Sequence, residues 1–296
     1  MDFYVRSDLA CESNCEDFGK LEGADWSVDE KSGFRVSRLE IRSSEAARRL
    51  EREKGCYLTV ECGRMNHLGE DDARLLECLL AEELRGMAER LCGKALDSDF
   101  GVFVAGLGNV EMTADAVGPK TVRKLTATRH LKDYETGLYR EIGCASLSTL
   151  APGVLGQTGI ETLELLRGAV RYVRPDVAIV VDALAARSCD RLASTVQISD
   201  AGIHPGSGVG NHRRAICAET LEVPVIAIGV PTVVNSSTLV YDALSTAGIC
   251  EIDDSLRQVL ENGKSFFVSP KESDVITEEV SNLLANAIGL AFTGIV

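Results

Sequence analysis

Three aspartates follow short apolar runs that have the composition of buried strands. Asp115 comes nine residues after "GVFVAG", Asp182 directly after "VAIVV", and Asp200 directly after "TVQIS". In an open α/β sheet, ligands sit beyond the carboxyl ends of the strands, so acids at these places converge on one rim. Two carboxylates held close together cannot both ionise easily. One keeps a proton while the other draws a proton from water, which is the chemistry of an aspartic peptidase. The competing reading for Asp115 and Asp182 is as the N-cap of a following helix, a place where Asp is among the favoured residues. His204 with Asp200 or Asp182 offers a second chemistry, a metal held by mixed nitrogen and oxygen ligands.

Other catalytic patterns are missing. The chain has no G-x-S-x-G elbow and no H-E-x-x-H pair. Its ten cysteines form no C-x-x-C, and none has an evident adjacent base. The stretch "HPGSGVGN" (His204 to Asn211) lacks the lysine of a P-loop and the third glycine of a dinucleotide motif, so it reads as a turn or as a backbone wall for a peptide.

The elements that must hold these groups follow from periodicity. Leu76, Leu80, Leu84, Met87 and Leu91 recur every three or four residues and predict one helix over Glu70 to Cys92. "FRVSRLEIRS" (Phe34 to Ser43) and "CYLTVEC" (Cys56 to Cys62) predict an antiparallel strand pair near the N-terminus. Thr158 to Glu161 has the pattern of a capping box, and Ser269-Pro270-Lys271-Glu272 that of an N-cap with Pro at the first helical position. From residue 101 onward, near-continuous apolar strands alternate with helices. The expected fold class is therefore α/β and three-layered: a mainly parallel twisted sheet with helices on both faces, in one domain.

Composition narrows the partners. A net charge of −14 argues against nucleic acid as a direct ligand. Scattered cysteines point to a reducing, intracellular setting. Acids within the first sixteen residues exclude a signal peptide, and the apolar run Val223 to Val234 is too short and proline-interrupted to span a membrane.

Taken in order, "GLGNVEMTADAVGPK" (Gly106 to Lys120), "APGVLGQTGIET" (Ala151 to Thr162), "DALAARSCDRLASTVQISDAGIHPGSGVGNHR" (Asp182 to Arg213) and "VPVIAIGVPTVV" (Val223 to Val234) closely resemble the germination protease family of spore-forming Firmicutes. "VRSDLACE" near the start and "VSPKESD" near the end match the same family. The resemblance implies an endopeptidase of the forespore and spore core that degrades small acid-soluble spore proteins during germination. It also implies a self-processing zymogen, a homotetramer, and an atypical aspartic mechanism with no cofactor, carried by Asp115 and Asp182. The family cuts between an acid and a bulky apolar residue followed by Ala. This places the processing bond at Asp8–Leu9, with residues 1–8 as propeptide and 9–296 as peptidase domain. Arg187, Asp200 and His204 are then the candidate substrate-binding residues, Arg187 being the choice for the acid before the cut and Lys120 and Arg129 its rivals. The implied fold is similar to that of hydrogenase-maturation peptidases, which keeps a metal-dependent peptidase as the alternative. Ala114 stands where relatives usually have Pro, Asn235 where they usually have Asp, and a long insertion before the last helix is absent.

Overall fold

The computed structural model describes residues 7–13, 21–206, 214–249, 253–262 and 266–295. Nine strands run through these residues: β1 (Ala24–Lys31), β2 (Phe34–Ile41), β3 (Gly55–Glu61), β4 (Gly101–Gly106), β5 (Ser146–Leu150), β6 (Val177–Ala186), β7 (Thr195–Ser199), β8 (Val225–Asn235) and β9 (Phe267–Val268). They form one sheet in the order β1-β2-β3-β7-β8-β6-β4-β5, with β9 added against the end of β8. The pairings β8–β6, β6–β4 and β4–β5 are parallel and make the centre expected from the apolar runs. β7 enters antiparallel between β3 and β8 and joins the N-terminal strands to that centre.

Both faces of the parallel centre are covered, which is why its strands carry apolar residues at consecutive positions. On one face Val102, Val104, Val177, Ile179, Val181, Ile226 and Ile228 pack in one cluster with Leu76, Leu80, Leu84 and Met87 of the helix Glu70–Cys92 and Val280, Leu284 and Ile288 of the helix Ser273–Phe292. On the other face Phe103, Ala105, Ala178, Val180 and Val225 meet Leu163, Leu166 and Val170 of the helix Thr162–Val173. Each fully buried Val, Leu, Ile, Phe or Met side chain among them contributes roughly 1.5–3 kcal/mol by leaving water. The helix Glu70–Cys92 has the bounds its periodicity predicts. Glu70, Asp71 and Asp72 lie at its positive end, and Gly93 closes it in a left-handed conformation. Leu91, at its last turn, is exposed rather than inward.

Other expectations need correction. The N-terminal antiparallel region has an additional outer strand, β1, beyond the predicted pair. Thr158 opens no helix: it ends the short helix Leu155–Thr158 and accepts the Ile160 N–H, while the long helix starts at Thr162. The final helix starts at Ser273, not at Pro270, because Lys271 and Glu272 form a turn first. Among the described residues no helix is long and apolar enough to cross a membrane.

Candidate functional site

Asp182 does not end its strand. β6 runs on to Ala186 because β8 accompanies it as far as Asn235. Asp182 therefore caps no helix. It faces Gly229 of β8 in register, Gly229 faces Gln197 of β7, and Gln197 faces Thr59 of β3. Residues in one cross-strand row share a face of the sheet. Asp182 and Gln197 thus stand on either side of a residue with no side chain. Asp182 is 5% exposed, and its Oδ1 accepts the Ala183 N–H at 2.9 Å. A Cβ at Gly229 would lie only 2.3 Å from Leu184 Cδ1, so the row has no room for one.

Asp115 reaches the same end of the sheet from β4. The Leu107 N–H continues the ladder to the Val181 carbonyl at 2.8 Å, and the chain then turns at Gly108 with φ +110°. A Cβ on Gly108 would sit 2.0 Å from the Asp115 carbonyl oxygen and 3.0 Å from Oδ1, so only glycine lets this loop close on Asp115. Asn109 N–H donates to Asp115 Oδ2 at 2.6 Å. The acid ends a 3-10 turn, Thr113–Asp115, which packs against β6 and β8. Thr232 Oγ1 and Thr277 Oγ1 donate to the carbonyls of Ala114 and Thr113 at 2.6 and 3.0 Å. These bonds fasten the loop that has Ala114 in place of proline. Ala116, not Asp115, stands at the N-cap of the next helix, Val117–Lys124.

The segment Ser7–Ser13 lies across this end of the sheet as a strap. Leu9 and Ala10 are fully buried, and Leu9 and Cys11 join Leu184, Ala186, Leu192 and Val234 in an apolar cluster. Asp8 N–H donates to Ala185 O at 2.8 Å, and the Asp8 carboxylate accepts the Ala185 N–H at 2.8 Å. Gln197 Nε2 donates to the Asp8 carbonyl at 3.3 Å, and Gln197 Oε1 accepts the Ala10 N–H at 2.7 Å. Arg52 Nη2 donates to the carbonyls of Ser7 and Leu9 at 2.7 and 3.0 Å. Glu12 anchors the strap by accepting the N–H groups of Arg187 and Ser188 at 2.7 and 3.1 Å and the Ser7 hydroxyl, and by pairing with Arg191 at 3.4 Å. A cleft of about 350 Å³ opens beside the strap, with Asp8, Arg52, Leu184, Gln197, His204 and Gly229 in its walls.

The remaining sequence candidates have partners of their own. The Arg187 guanidinium pairs with Asp242 at 3.0 Å, and the Asp8 carboxylate is received by a backbone amide. Lys120 pairs with Glu278, and Arg129 lies over the Tyr172 ring. Asp200 accepts the Cys56 N–H at 2.6 Å at the end of the β3–β7 pairing, outside the row of Asp182. Burial pushes its carboxyl above the ordinary value, against the lowering effect of that Cys56 bond. His204 lines the cleft with Nε2 3.9 Å from Glu53. Residues 207–213, most of the glycine-rich stretch, lie outside the described residues. Among the described residues no group of three or more His, Cys, Asp or Glu side chains is gathered as for a metal. Burial pushes the Cys11 and Cys62 thiols up to about 11 and about 12, leaving them protonated and poorly nucleophilic at neutral pH. Asn235 caps the helix Ser236–Thr246 by accepting the N–H groups of Ser237 and Thr238, a role that Asp fills equally well.

Sequence reasoning passed over Arg52, Gln197 and Glu12. The one signal available was Gln197 itself, a polar side chain inside the β-branched run "TVQIS" where a core residue belongs.

The chain is similar to several known proteins. A family model described as germination protease matches residues 6–247. A germination protease of Clostridium acetobutylicum is 36% identical, over 97% of this chain and 94% of its own length. One from Caldanaerobacter subterraneus is also 36% identical over the same shares. One from Priestia megaterium is 39% identical over 82% of this chain and 66% of its own length. Among solved structures, a [NiFe] hydrogenase maturation protease HycI from Thermococcus kodakarensis aligns with a TM-score of 0.36 and 16% identity, over 65% of this chain and 93% of that one. The sequence matches run through both aspartates, the strap and the cleft, and on them this chain belongs to the germination protease family and is a protease.

Proposed function

We propose that this protease is an aspartic endopeptidase that cuts on the carboxyl side of an acidic residue, with Asp115 and Asp182 as its catalytic carboxyls. It is made as a precursor whose first substrate is its own Asp8–Leu9 bond, and it then degrades small acid-soluble spore proteins in the germinating spore as a homotetramer. The observation that supports this most strongly is the strap. The Asp8–Leu9 peptide is hydrogen-bonded by Gln197, which shares a row of the sheet with Asp182.

The two acids share one proton around a water molecule. The ionised carboxyl draws a proton from the water as its oxygen attacks the peptide carbonyl carbon. The protonated carboxyl donates to the carbonyl oxygen, and a proton then passes to the leaving nitrogen as the C–N bond breaks. Preference for an acid before the bond comes from the Ala185 amide, which offers a donor to a carboxylate and none to an apolar side chain. The alanine two residues beyond the cut lies fully buried, which favours a small side chain there.

The test is cleavage of a peptide with the sequence Ser-Asp-Leu-Ala by the purified chain. Asp115→Asn and Asp182→Asn should each lose about 10²–10⁴ in rate, the usual worth of a positioned acid or base, with unchanged thermal melting. A chelator should leave the wild-type rate unchanged. Full activity in either variant, or loss with chelator and recovery with added metal, refutes the assignment.

A further inference from the structure

Resting on the reading that Asp8–Leu9 is cut, we infer that Gln197 is a catalytic residue: its side-chain amide is the hydrogen-bond donor that stabilises the oxyanion when the peptide carbonyl is attacked. The carbonyl it touches, that of Asp8, belongs to the bond in question. Its ground-state distance of 3.3 Å is long for an N–H···O bond, and the bond shortens as the oxygen gains charge. The amide is also oriented without ambiguity. Its oxygen must face the Ala10 N–H, because an N–H needs an acceptor, and its nitrogen must then face the Asp8 carbonyl.

The placement is rigid. Gln197 is 8% exposed and lies in the middle of β7 between Val196 and Ile198, both fully buried. A primary amide in such a place is unfavourable unless its hydrogen bonds are met. Residues 8 and 10 meet them in the uncut chain. Departure of residues 1–8 removes the carbonyl partner and leaves the donor turned toward the place the next peptide's carbonyl must occupy. Gly229 separates Gln197 from Asp182 in the row, and the Leu184 side chain lies over it, so acid and donor share one face of the sheet on either side of Leu184. Arg52, which holds the carbonyls on either side, positions the peptide but does not touch the reacting oxygen.

In the step itself the water oxygen bonds to the Asp8 carbonyl carbon as a water proton passes to the ionised aspartate, and the carbonyl π pair moves onto oxygen, which accepts hydrogen bonds from the protonated aspartate and from the Gln197 N–H. The pair returns as the C–N bond breaks, the nitrogen of Leu9 takes a proton, and an Asp8 carboxyl group and a Leu9 amine result.

The test uses the full chain carrying Gln197→Glu or Gln197→Met. It follows the intact mass for self-cleavage and kcat and KM on a Ser-Asp-Leu-Ala-Ser-Glu peptide. Gln197→Glu keeps the acceptor for the Ala10 N–H and, when ionised, loses the donor. Its kcat should fall by about 10²–10³ with KM changed only a few-fold, the usual effect of removing one oxyanion donor. Its deficit relative to wild type should shrink as pH falls and the new carboxyl takes up a proton able to donate. Gln197→Met, which has no donor at any pH, should show the loss without the recovery, and it carries the test should the Glu variant melt early. An unchanged kcat, a change confined to KM, or slowed self-cleavage with normal peptide cleavage overturns the inference. Wild-type protein that cuts neither its own Asp8–Leu9 bond nor the peptide removes the underlying reading as well.

Discussion

Replacing Arg52 by alanine probes how the strap is held. One nitrogen, Nη2, donates to the carbonyls of Ser7 and Leu9 at 2.7 and 3.0 Å. Hydrogen bonds from a charged group contribute about 1.5–3 kcal/mol each. The two share one donor nitrogen, and the freed carbonyls regain some water, so the pair together is worth about 2–4 kcal/mol. The alanine variant keeps Asp115, Asp182 and Gln197, so the loss falls on binding an extended peptide rather than on the bond-breaking step. On a Ser-Asp-Leu-Ala peptide, kcat/KM should drop about 30- to 1000-fold, mostly through KM, at about 1.4 kcal/mol per tenfold. Self-cleavage at Asp8–Leu9 should slow because the strap spends less time docked, and limited proteolysis should find residues 7–13 more accessible. Initial rates over a range of peptide concentrations separate kcat from KM. An unchanged KM together with unchanged protection of the strap refutes the claim that these carbonyl contacts hold the peptide.

Two further expectations concern the scaffold. Gly229→Ala places a methyl group 2.3 Å from Leu184 Cδ1, and Leu184 is hemmed in by Leu9, Cys11 and Leu192, so the overpacking should cost about 1–3 kcal/mol and lower Tm by about 2–10 °C. Leu184, which the methyl displaces, lies over Gly229 between Asp182 and Gln197, so activity should fall further than stability explains; wild-type melting and wild-type rates together would contradict the row geometry. Glu83 is buried, a cost to its charge that its ion pairs with Lys31 at 2.8 Å and Arg38 at 3.0 Å outweigh, holding its carboxyl below the ordinary value. A depressed carboxyl stabilises above its unfolded pKa and loses that contribution as pH falls through the folded one. Glu83→Gln should therefore cost about 1 kcal/mol at pH 7, the partners being half exposed, and the gap in Tm should close as pH falls through and below about 4.3. A gap independent of pH contradicts the ion-pair account.

Elements with long-range periodicity were legible in the sequence. The helix Glu70–Cys92 follows from spacing because one face meets the core, and the strands β2 and β3 from their β-branched, apolar composition, although both their faces carry buried residues. β1 was not, since "ADWSVDEK" is an edge strand with most of its residues exposed and shows little apolar alternation. The stretch after Asp182, "ALAA", has the composition of a helix, yet a long partner strand keeps it extended: tertiary pairing overrides propensity. Asp182 could be picked out because an acid directly after an apolar run stands out, and Asp115, nine residues past its run, is singled out with it by the family resemblance. Arg52 and Gln197 could not be tied to the strap, because the contacts join residues 43 to 189 positions apart. Only a folded sheet, with its register set, makes neighbours of them.

The central claim is that Asp115 and Asp182 act together on a peptide held as Asp8–Leu9 is held. Amino-terminal sequencing of the full chain after incubation tests it most directly, with Asp115→Asn and Asp182→Asn incubated alongside. The account predicts a new first residue, Leu9, in the wild-type protein and an intact Met1 start in both variants. Processing at Asp8–Leu9 in either variant, or at a different bond in the wild type, would contradict it.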